Sequence, residues 1–199
     1  MILMDRDDKG LRSAYGDENE RRRLVSADLL DAASVARAVA ASARIDVLCN
    51  IAGGFRTGQP VHETPEETWA LMLDLNAKSV INTARAIVPR MLAAGSGKII
   101  NIAALAGLSG KANMGAYTAS KSAVIRLTES MSAELRDRGI NVNCILPSII
   151  DTPQNRADMP GADPRRWVAP EALADVILFL ASDAARAIHG AAIPVTGLV

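Results

Sequence analysis

The sequence has no excess of either charge, because 22 lysines and arginines balance 22 aspartates and glutamates over its 199 residues. Domains that bind nucleic acids carry a clear basic excess. The one basic cluster, residues 21–23, stands beside Glu18 and Glu20, and we interpret it as part of a solvated loop. The composition therefore predicts no nucleic-acid partner.

Cysteine and histidine are scarce, with two residues of each. Cys49 and Cys144 both lie inside short apolar runs, which is typical of small core residues in a reduced, cytoplasmic protein. His62 and His189 match no metal-binding spacing, so no metal site is expected.

Long apolar runs are also absent, although 49% of the residues are hydrophobic. No run approaches the ~20 residues that a membrane-spanning helix needs. The first residues, MILMDRDD, become acidic too early for a signal peptide. We therefore expect a cytoplasmic protein without a membrane partner.

Short apolar runs alternate with longer amphipathic segments. The runs are apolar on both faces and end at a polar or turn residue, which is typical of buried parallel strands. They lie near residues 2–4, 24–25, 47–49, 98–102, 142–146 and 192–195, and helical patterns occupy residues 32–43, 65–92, 116–138 and 170–180. This alternation predicts a single α/β domain over residues 1–199, with a parallel sheet covered by helices on both faces.

Ligands of such sheets bind beyond the carboxyl ends of the strands. The residues that directly follow the apolar runs are therefore expected to share one cleft. They are Asp5, Asp28, residues 50–54, Ala103, Ala104, Pro147 and Ser148.

Tyr117 and Lys121 are one helical turn apart, so both side chains project from the same face of the predicted helix. An ammonium group near a phenol favours the phenolate and lowers its pKa. A tyrosine tuned in this way acts as a general acid or base near neutral pH. The alternative is a chance pair on a helix surface.

Four ordered motifs resemble those of the short-chain dehydrogenase/reductase family. Asn50-Ile51-Ala52-Gly53 is similar to the family's Asn-Asn-Ala-Gly segment, and Asp74-Leu75-Asn76 to its catalytic asparagine segment. Residues 117–121 match the active-site Tyr-x-x-x-Lys. Residues 141–143, followed by residues 147–152, resemble the family's strand and Pro-Gly-x-x-x-Thr loop, which together hold the nicotinamide. The resemblance covers nearly the whole chain and implies a Rossmann-type, doubly wound parallel sheet and hydride transfer with NAD(H) or NADP(H).

The resemblance also implies roles for individual residues. Tyr117 passes the proton, Lys121 holds the nicotinamide ribose and lowers the tyrosine pKa, and Asn76 keeps a water beside that lysine. The implied cofactor-binding residues are Asp5, Asp28, Leu29, Asn50, Ala52, Gly53, Tyr117, Lys121, Pro147, Ile150 and Thr152. The alternative for Asn76 is a structural helix residue, and for Asp28 a residue of a helix N-cap region.

Asp5 closes the first apolar run. A carboxylate at this place hydrogen-bonds the adenosine ribose and repels a 2′-phosphate, which favours NAD(H) over NADP(H). Arg6 follows directly and would attract that phosphate instead. The third interpretation is that Asp5 is an ordinary solvent-exposed acid with no role in cofactor binding.

The chain departs from the family pattern at its start, where no Thr-Gly-x-x-x-Gly-x-Gly turn occurs. The resemblance therefore implies that the domain lacks its first strand and first helix, about 25–35 residues. A misplaced start codon, a fragment and a degenerate product without cofactor binding are the three explanations.

The second departure is Ala104, which stands where the family has a serine. Residues 146–163 and Trp167 resemble the quinonoid dihydropteridine reductases, which also have alanine there. Ala104, Met159 and Trp167 are then substrate-binding residues; alternatively, Met159 and Trp167 only pack the loop. General bacterial reductases share this motif.

These patterns predict an NAD(P)H-dependent oxidoreductase with a small-molecule substrate, a quinonoid dihydropteridine. A general carbonyl or alcohol oxidoreductase is the alternative enzyme, and a truncated, non-catalytic dimerising protein is the alternative outside enzymes. Segments 66–92 and 115–138 resemble the helices through which family members form homodimers and homotetramers.

Overall fold

The computed structural model describes residues 1–199 as parallel strands that alternate with helices. The strands are β1 Ile2–Asp5, β2 Arg23–Ser26, β3 Val47–Asn50, β4 Gly97–Ile102, β5 Ile140–Pro147 and β6 Ala192–Val195. The helices are α1 Asp8–Tyr15, α2 Ala32–Val39, α3 Glu66–Leu73, α4 Ser79–Ala94, α5 Gly115–Leu135, α6 Pro153–Asp158 and α7 Pro170–Ala181. The predicted α/β class and all six predicted strands are confirmed.

The strands form two hydrogen-bonded sheets rather than the single sheet that the sequence predicts. One sheet has the order β1-β2 and the other the order β3-β4-β5-β6, and every pair is parallel. β1 pairs only with β2 and β3 only with β4, so each of these strands has one unpaired edge.

β5 is the centre of the larger core, because all eight of its residues are buried. Cys144 and Leu146 pack with Val124 of α5, whereas Ile145 between them packs with Leu173 of α7. Side chains of a strand alternate between faces, so helices cover both faces of this sheet, as predicted.

The smaller sheet is joined to the larger one through helix contacts. The side-chain amide of Asn82 on α4 donates to the carbonyl of Leu29, at 2.8 Å. The guanidinium of Arg90 on α4 donates to the carbonyls of Val39 and Ser42 at the end of α2. Met4 of β1 packs against the core cluster that contains Val39.

The predicted helix over residues 65–92 is interrupted in the structure. Its middle, Asp74–Lys78, is a π-helical segment that separates α3 from α4. Such segments insert one residue into a helix and are frequent at functional sites. Periodicity does not reveal it, because the apolar spacing continues on both sides.

Two helices were not predicted from the sequence. α1 is polar and contains a glycine, with Leu11 as its only buried residue. α6 begins at Pro153, where the hydroxyl of Thr152 caps it. The sequence predicts a loop there because of its prolines, yet proline is well tolerated in the first helical turn. None of the helices combines the length and hydropathy required to span a bilayer.

Candidate active site

A buried polar chain ties the sheet to the two long helices. Thr83 of α4 donates its hydroxyl to Asn50 Oδ1 at 2.8 Å, and Asn50 Nδ2 donates to Asn101 Oδ1 at 2.8 Å. Asn101 Nδ2 then donates to the hydroxyl of Thr128 on α5, at 2.9 Å. All four side chains are buried, so satisfied partners here fix α4, β3, β4 and α5 relative to one another.

Asn76 lies in the π-helical segment, and its side chain makes three hydrogen bonds to nitrogen and oxygen atoms. Its Oδ1 accepts from Gly54 N at 2.9 Å, and its Nδ2 donates to Gly54 O at 3.1 Å and to Ser120 Oγ at 2.9 Å. Ser120 in turn donates to the carbonyl of Tyr117, at 2.8 Å. The amide of Asn76 therefore has a fixed orientation and links the end of β3 to the first turns of α5.

Lys121 is only 6% exposed, and its Nζ donates to the carbonyl of Ile102 at the end of β4, at 3.0 Å. Burial lowers the pKa of this ammonium to about 8. A Cβ on Gly53 would lie 2.7 Å from Asn76 Oδ1 and 3.1 Å from Lys121 Nζ. The structure thus brings Gly53, Asn76 and Lys121 together, as the sequence predicts.

Tyr117 lies half-buried on α5, and its ring packs edge-on against the ring of Phe55, with 4.7 Å between the ring centroids. Burial raises the pKa of the Tyr117 phenol. This direction is opposite to the lowering expected from a neighbouring ammonium. The reason is that desolvation disfavours the phenolate, while the ammonium of Lys121 donates to a backbone carbonyl.

The lowered pKa of Lys121 predicts a pH-dependent cost in stability. Because the folded pKa of about 8 lies below the unfolded value, the cost of burying the ammonium is complete below pH 8 and declines as the pH rises further. At about pH 7, Lys121→Met should therefore raise the free energy of unfolding by up to about 3 kcal/mol. The gain should shrink towards about pH 10.

Urea unfolding of both proteins across this pH range measures the effect, with Lys111→Met as a control at an exposed lysine. A gain that stays constant with pH would show that Lys121 does not titrate in this range.

Ala103 and Ala104 are both buried, and neither carries a hydroxyl. Ala103 packs in the core cluster with Val124. Ser109 is exposed in the following loop, and the hydroxyl of Ser120 on α5 is already bonded to Asn76 and Tyr117. At position 104 itself, the structure provides no side-chain donor.

Asp5, Asp28 and Leu29 lie at the carboxyl ends of β1 and β2. Asp5 is exposed and its Oδ1 accepts from the amide of Asp7 at 2.9 Å. Asp28 is also exposed and accepts from the amide of Leu30 at 2.8 Å. The N-cap of α2 is Asp31 rather than Asp28. Both carboxylates keep accepting capacity that faces solvent.

The loop after β5 contains Pro147, Ile150 and Thr152. The carbonyl of Ile150 accepts from the side chain of Asn155 at 2.8 Å, and the hydroxyl of Thr152 accepts from the amide of Asn155 at 3.2 Å. The hydroxyl hydrogen of Thr152 has no protein acceptor, and Pro147 is buried at the end of its strand. Asn155 therefore shapes this loop.

The other predicted residues lie around this edge of the sheet. Ala52 is exposed directly after β3, and Met159 is half-buried after α6. Trp167 is 7% exposed, which agrees with the alternative that it packs the loop. No group of three or more His, Cys, Asp and Glu side chains is placed to hold a metal ion.

Sequence reasoning missed two side chains of the site. Ser120 stands three residues after Tyr117, a spacing at which a serine hydroxyl reaches back to a helix carbonyl. This spacing was a usable signal. Phe55 is marked in the sequence only as the aromatic residue of the Ala52-Gly53-Gly54-Phe55 run. Its contact with Tyr117 depends on the path of the loop after β3.

Comparison with known proteins shows what the chain resembles. A family model described as Enoyl-(Acyl carrier protein) reductase matches residues 1–197. The chain is 36% identical over 200 residues to 2-(R)-hydroxypropyl-CoM dehydrogenase of Xanthobacter autotrophicus, covering 92% of this chain and 79% of that protein. It is 35% identical over 196 residues to cis-4-hydroxycyclohexanecarboxylate dehydrogenase of Sinomonas cyclohexanicum, with the same 92% and 79% coverage.

Two solved structures have the same fold. A gluconate 5-dehydrogenase from Burkholderia cenocepacia, in complex with NADP and tartrate, superposes with a TM-score of 0.88 at 29% identity, covering 98% of this chain and 83% of that one. An NAD+-bound xylitol dehydrogenase superposes with a TM-score of 0.87 at 26% identity, covering 98% and 87% of the two chains.

Proposed function

The chain belongs to the short-chain dehydrogenase/reductase family of NAD(P)-dependent oxidoreductases, and on that premise we propose that Tyr117 and Lys121 form its proton-transfer pair. The observation that supports this most strongly is the cluster of Gly53, Asn76 and the buried Lys121 beside Tyr117. Isolated buried ammonium groups are costly, so a lysine kept there is expected to serve the reaction.

The residues at this edge fit the nicotinamide half of a dinucleotide. Gly53 leaves open the space that a Cβ would take beside Asn76 and Lys121. Lys121 would hold the ribose hydroxyls, and Thr152, with the backbone at Ile150, would hold the carboxamide. A bound nicotinamide supplies or accepts the hydride.

The protein's own step is a proton transfer at the Tyr117 hydroxyl. In the direction of reduction, the phenol gives its proton to the substrate atom that gains negative charge as hydride arrives at another atom of the same conjugated group, the carbonyl carbon in a ketone. The ammonium of Lys121 then stabilises the phenolate, which burial otherwise disfavours. Asn76 keeps the end of β3 and the start of α5 in place through Gly54 and Ser120.

Asp5 is proposed to select NAD(H). Its exposed carboxylate would accept from ribose hydroxyls and repel a 2′-phosphate. NADH should give a higher kcat/KM than NADPH. Asp5→Ala should reduce the ratio of these two kcat/KM values about tenfold. Steady-state kinetics with both cofactors test this, with Asp137→Ala as a control at another exposed aspartate. A wild-type preference for NADPH would assign the selection to Arg6 instead.

Two substrate classes compete. The names of the curated relatives favour an alcohol or its carbonyl product. Ala104 favours a quinonoid dihydropteridine, because hydride addition restores a stable conjugated ring and Tyr117 alone can supply the proton. A second hydroxyl donor to a developing oxyanion is worth about 3 kcal/mol, so ketones should be slow substrates of a site without one.

Ala104→Ser separates the two classes. It should raise kcat/KM for ketones by about tenfold or more, while leaving the rate with quinonoid dihydropteridine nearly unchanged. Parallel assays of both substrates with NADH measure this, and Ala103→Ser places a hydroxyl at the neighbouring core position as a control. If the unmodified protein reduces ketones as fast as the pterin, the pterin proposal fails and the carbonyl reductase remains.

A further inference from the structure

A polar pocket with a volume of about 200 Å³ lies beside Tyr117 and contains none of the residues assigned above. Its polar lining consists of Arg56, Thr57, Gln59, Thr64, Thr68 and Asn113. These side chains include one guanidinium, two amides and three hydroxyls, and no carboxylate. Of the hydroxyls, those of Thr57 and Thr64 already donate to backbone carbonyls, so the guanidinium, the amides and Thr68 supply the free donors. The lining is therefore suited to an anion or a strongly accepting group.

Arg56 is the only charged group of the pocket lining. One of its terminal nitrogens donates to the carbonyl of Phe55 at 2.8 Å, and it takes part in none of the ion pairs of the structure. The remaining donors of the guanidinium are free for a ligand. A guanidinium fits a carboxylate through two parallel hydrogen bonds.

The wall that carries Arg56 is held in place by the loop before α5. The carbonyl of Asn113 accepts from Thr57 Oγ1 at 2.6 Å and from Gly58 N at 2.9 Å. Asn113 has a left-handed backbone, with φ of 61°, a conformation that few residues adopt without support. The pocket is therefore formed before any ligand binds, which lowers the cost of ordering it.

Both walls of the pocket adjoin Tyr117. Gly115 and Ala116 line one side and directly precede Tyr117 on α5. Arg56 lines the other side and directly follows Phe55, whose ring contacts the Tyr117 ring. A molecule with its reacting carbon at Tyr117 therefore has this pocket within reach of a short substituent.

We propose that this pocket binds the carboxylate of a small hydroxy- or oxo-acid substrate through Arg56, an inference that rests on the oxidoreductase function proposed above. The volume admits a small acidic substituent and is below the usual size of pockets for larger ligands. The substrate class agrees with two related proteins, one named for hydroxycyclohexanecarboxylate and one crystallised with tartrate. It favours the alcohol and carbonyl class over the pterin.

The test compares two ligands of nearly the same shape, one with a charged and one with an uncharged terminal group. 4-Oxocyclohexanecarboxylate and its uncharged carboxamide are titrated calorimetrically into the protein without cofactor and with NAD+, with which neither ketone can be reduced. The carboxylate should bind about tenfold more tightly than the carboxamide. Arg56→Gln should remove this difference, and Arg56→Lys should keep part of it. Arg126→Gln, at an exposed arginine of α5 paired with Glu129, should leave it unchanged.

Binding is read independently of turnover, so the two proposals fail separately. Equal affinity for the acid and the amide, or a preference that survives Arg56→Gln, would overturn the carboxylate pocket. A clear preference for the acid that depends on Arg56, without oxidation or reduction of any ligand, would support the pocket and count against the proposed reaction.

Discussion

Replacing Tyr117 by phenylalanine is expected to lower kcat by about 10³-fold while leaving the affinity for NADH within about twofold. The variant loses the phenolic hydroxyl group and nothing else of the side chain. Its ring can still pack against Phe55, and Ser120 still donates to the backbone carbonyl at this position. The fold and the other cofactor-binding residues should therefore be unchanged.

Tyr15→Phe is the matched control, because the chain has only two tyrosines and Tyr15 is exposed on α1. Steady-state kinetics and calorimetric NADH binding on both variants separate chemistry from binding. A Tyr117→Phe protein that retains most of the wild-type activity would refute the assignment of the proton donor.

A methyl group at position 53 is expected to have the second large effect. In Gly53→Ala the new Cβ would lie 2.7 Å from Asn76 Oδ1 and 3.1 Å from Lys121 Nζ, which is too close for both to stay in place. Displacing either group by about 1 Å can lower the rate by about 100-fold. We therefore expect kcat/KM to fall by about that factor.

Gly110→Ala controls for the general effect of a methyl group at a glycine, because nothing lies within 4 Å of the Cβ it would add. Kinetics are combined with urea unfolding, so that loss of activity can be distinguished from loss of fold. Wild-type kinetics in Gly53→Ala would mean that Asn76 and Lys121 tolerate displacement and do not need this spacing.

The sequence predicts the strands well because their apolar runs are short and sharply ended. It also places Gly53, Asn76, Tyr117 and Lys121 at one edge, since strand ends and the i, i+4 spacing determine position along each element. The pattern of apolar runs does not reveal the division into two sheets. Strand pairing depends on which edges meet in space, and the pattern of β1 is the same whether one edge is paired or both are.

The electrostatics of the site were harder to predict than its position. The prediction that Lys121 lowers the pKa of Tyr117 was wrong, because burial outweighs the neighbouring charge. The extent of burial is a property of the packed structure. Likewise, the bonds of the Asn76 side-chain amide to Gly54 and Ser120 were not predicted. Nothing in the local sequence distinguishes these partners.

Transfer of deuterium tests the oxidoreductase account most directly. NADH deuterated at both C4 positions is incubated with the protein and with 4-oxocyclohexanecarboxylate, whose carbonyl carbon keeps a transferred deuterium, and the product is analysed by mass spectrometry. The account predicts one deuterium in the reduced product with wild-type protein and with Tyr15→Phe, and little product with Tyr117→Phe. Equal formation of labelled product by wild-type and Tyr117→Phe proteins, or a reduced product without deuterium, would contradict it.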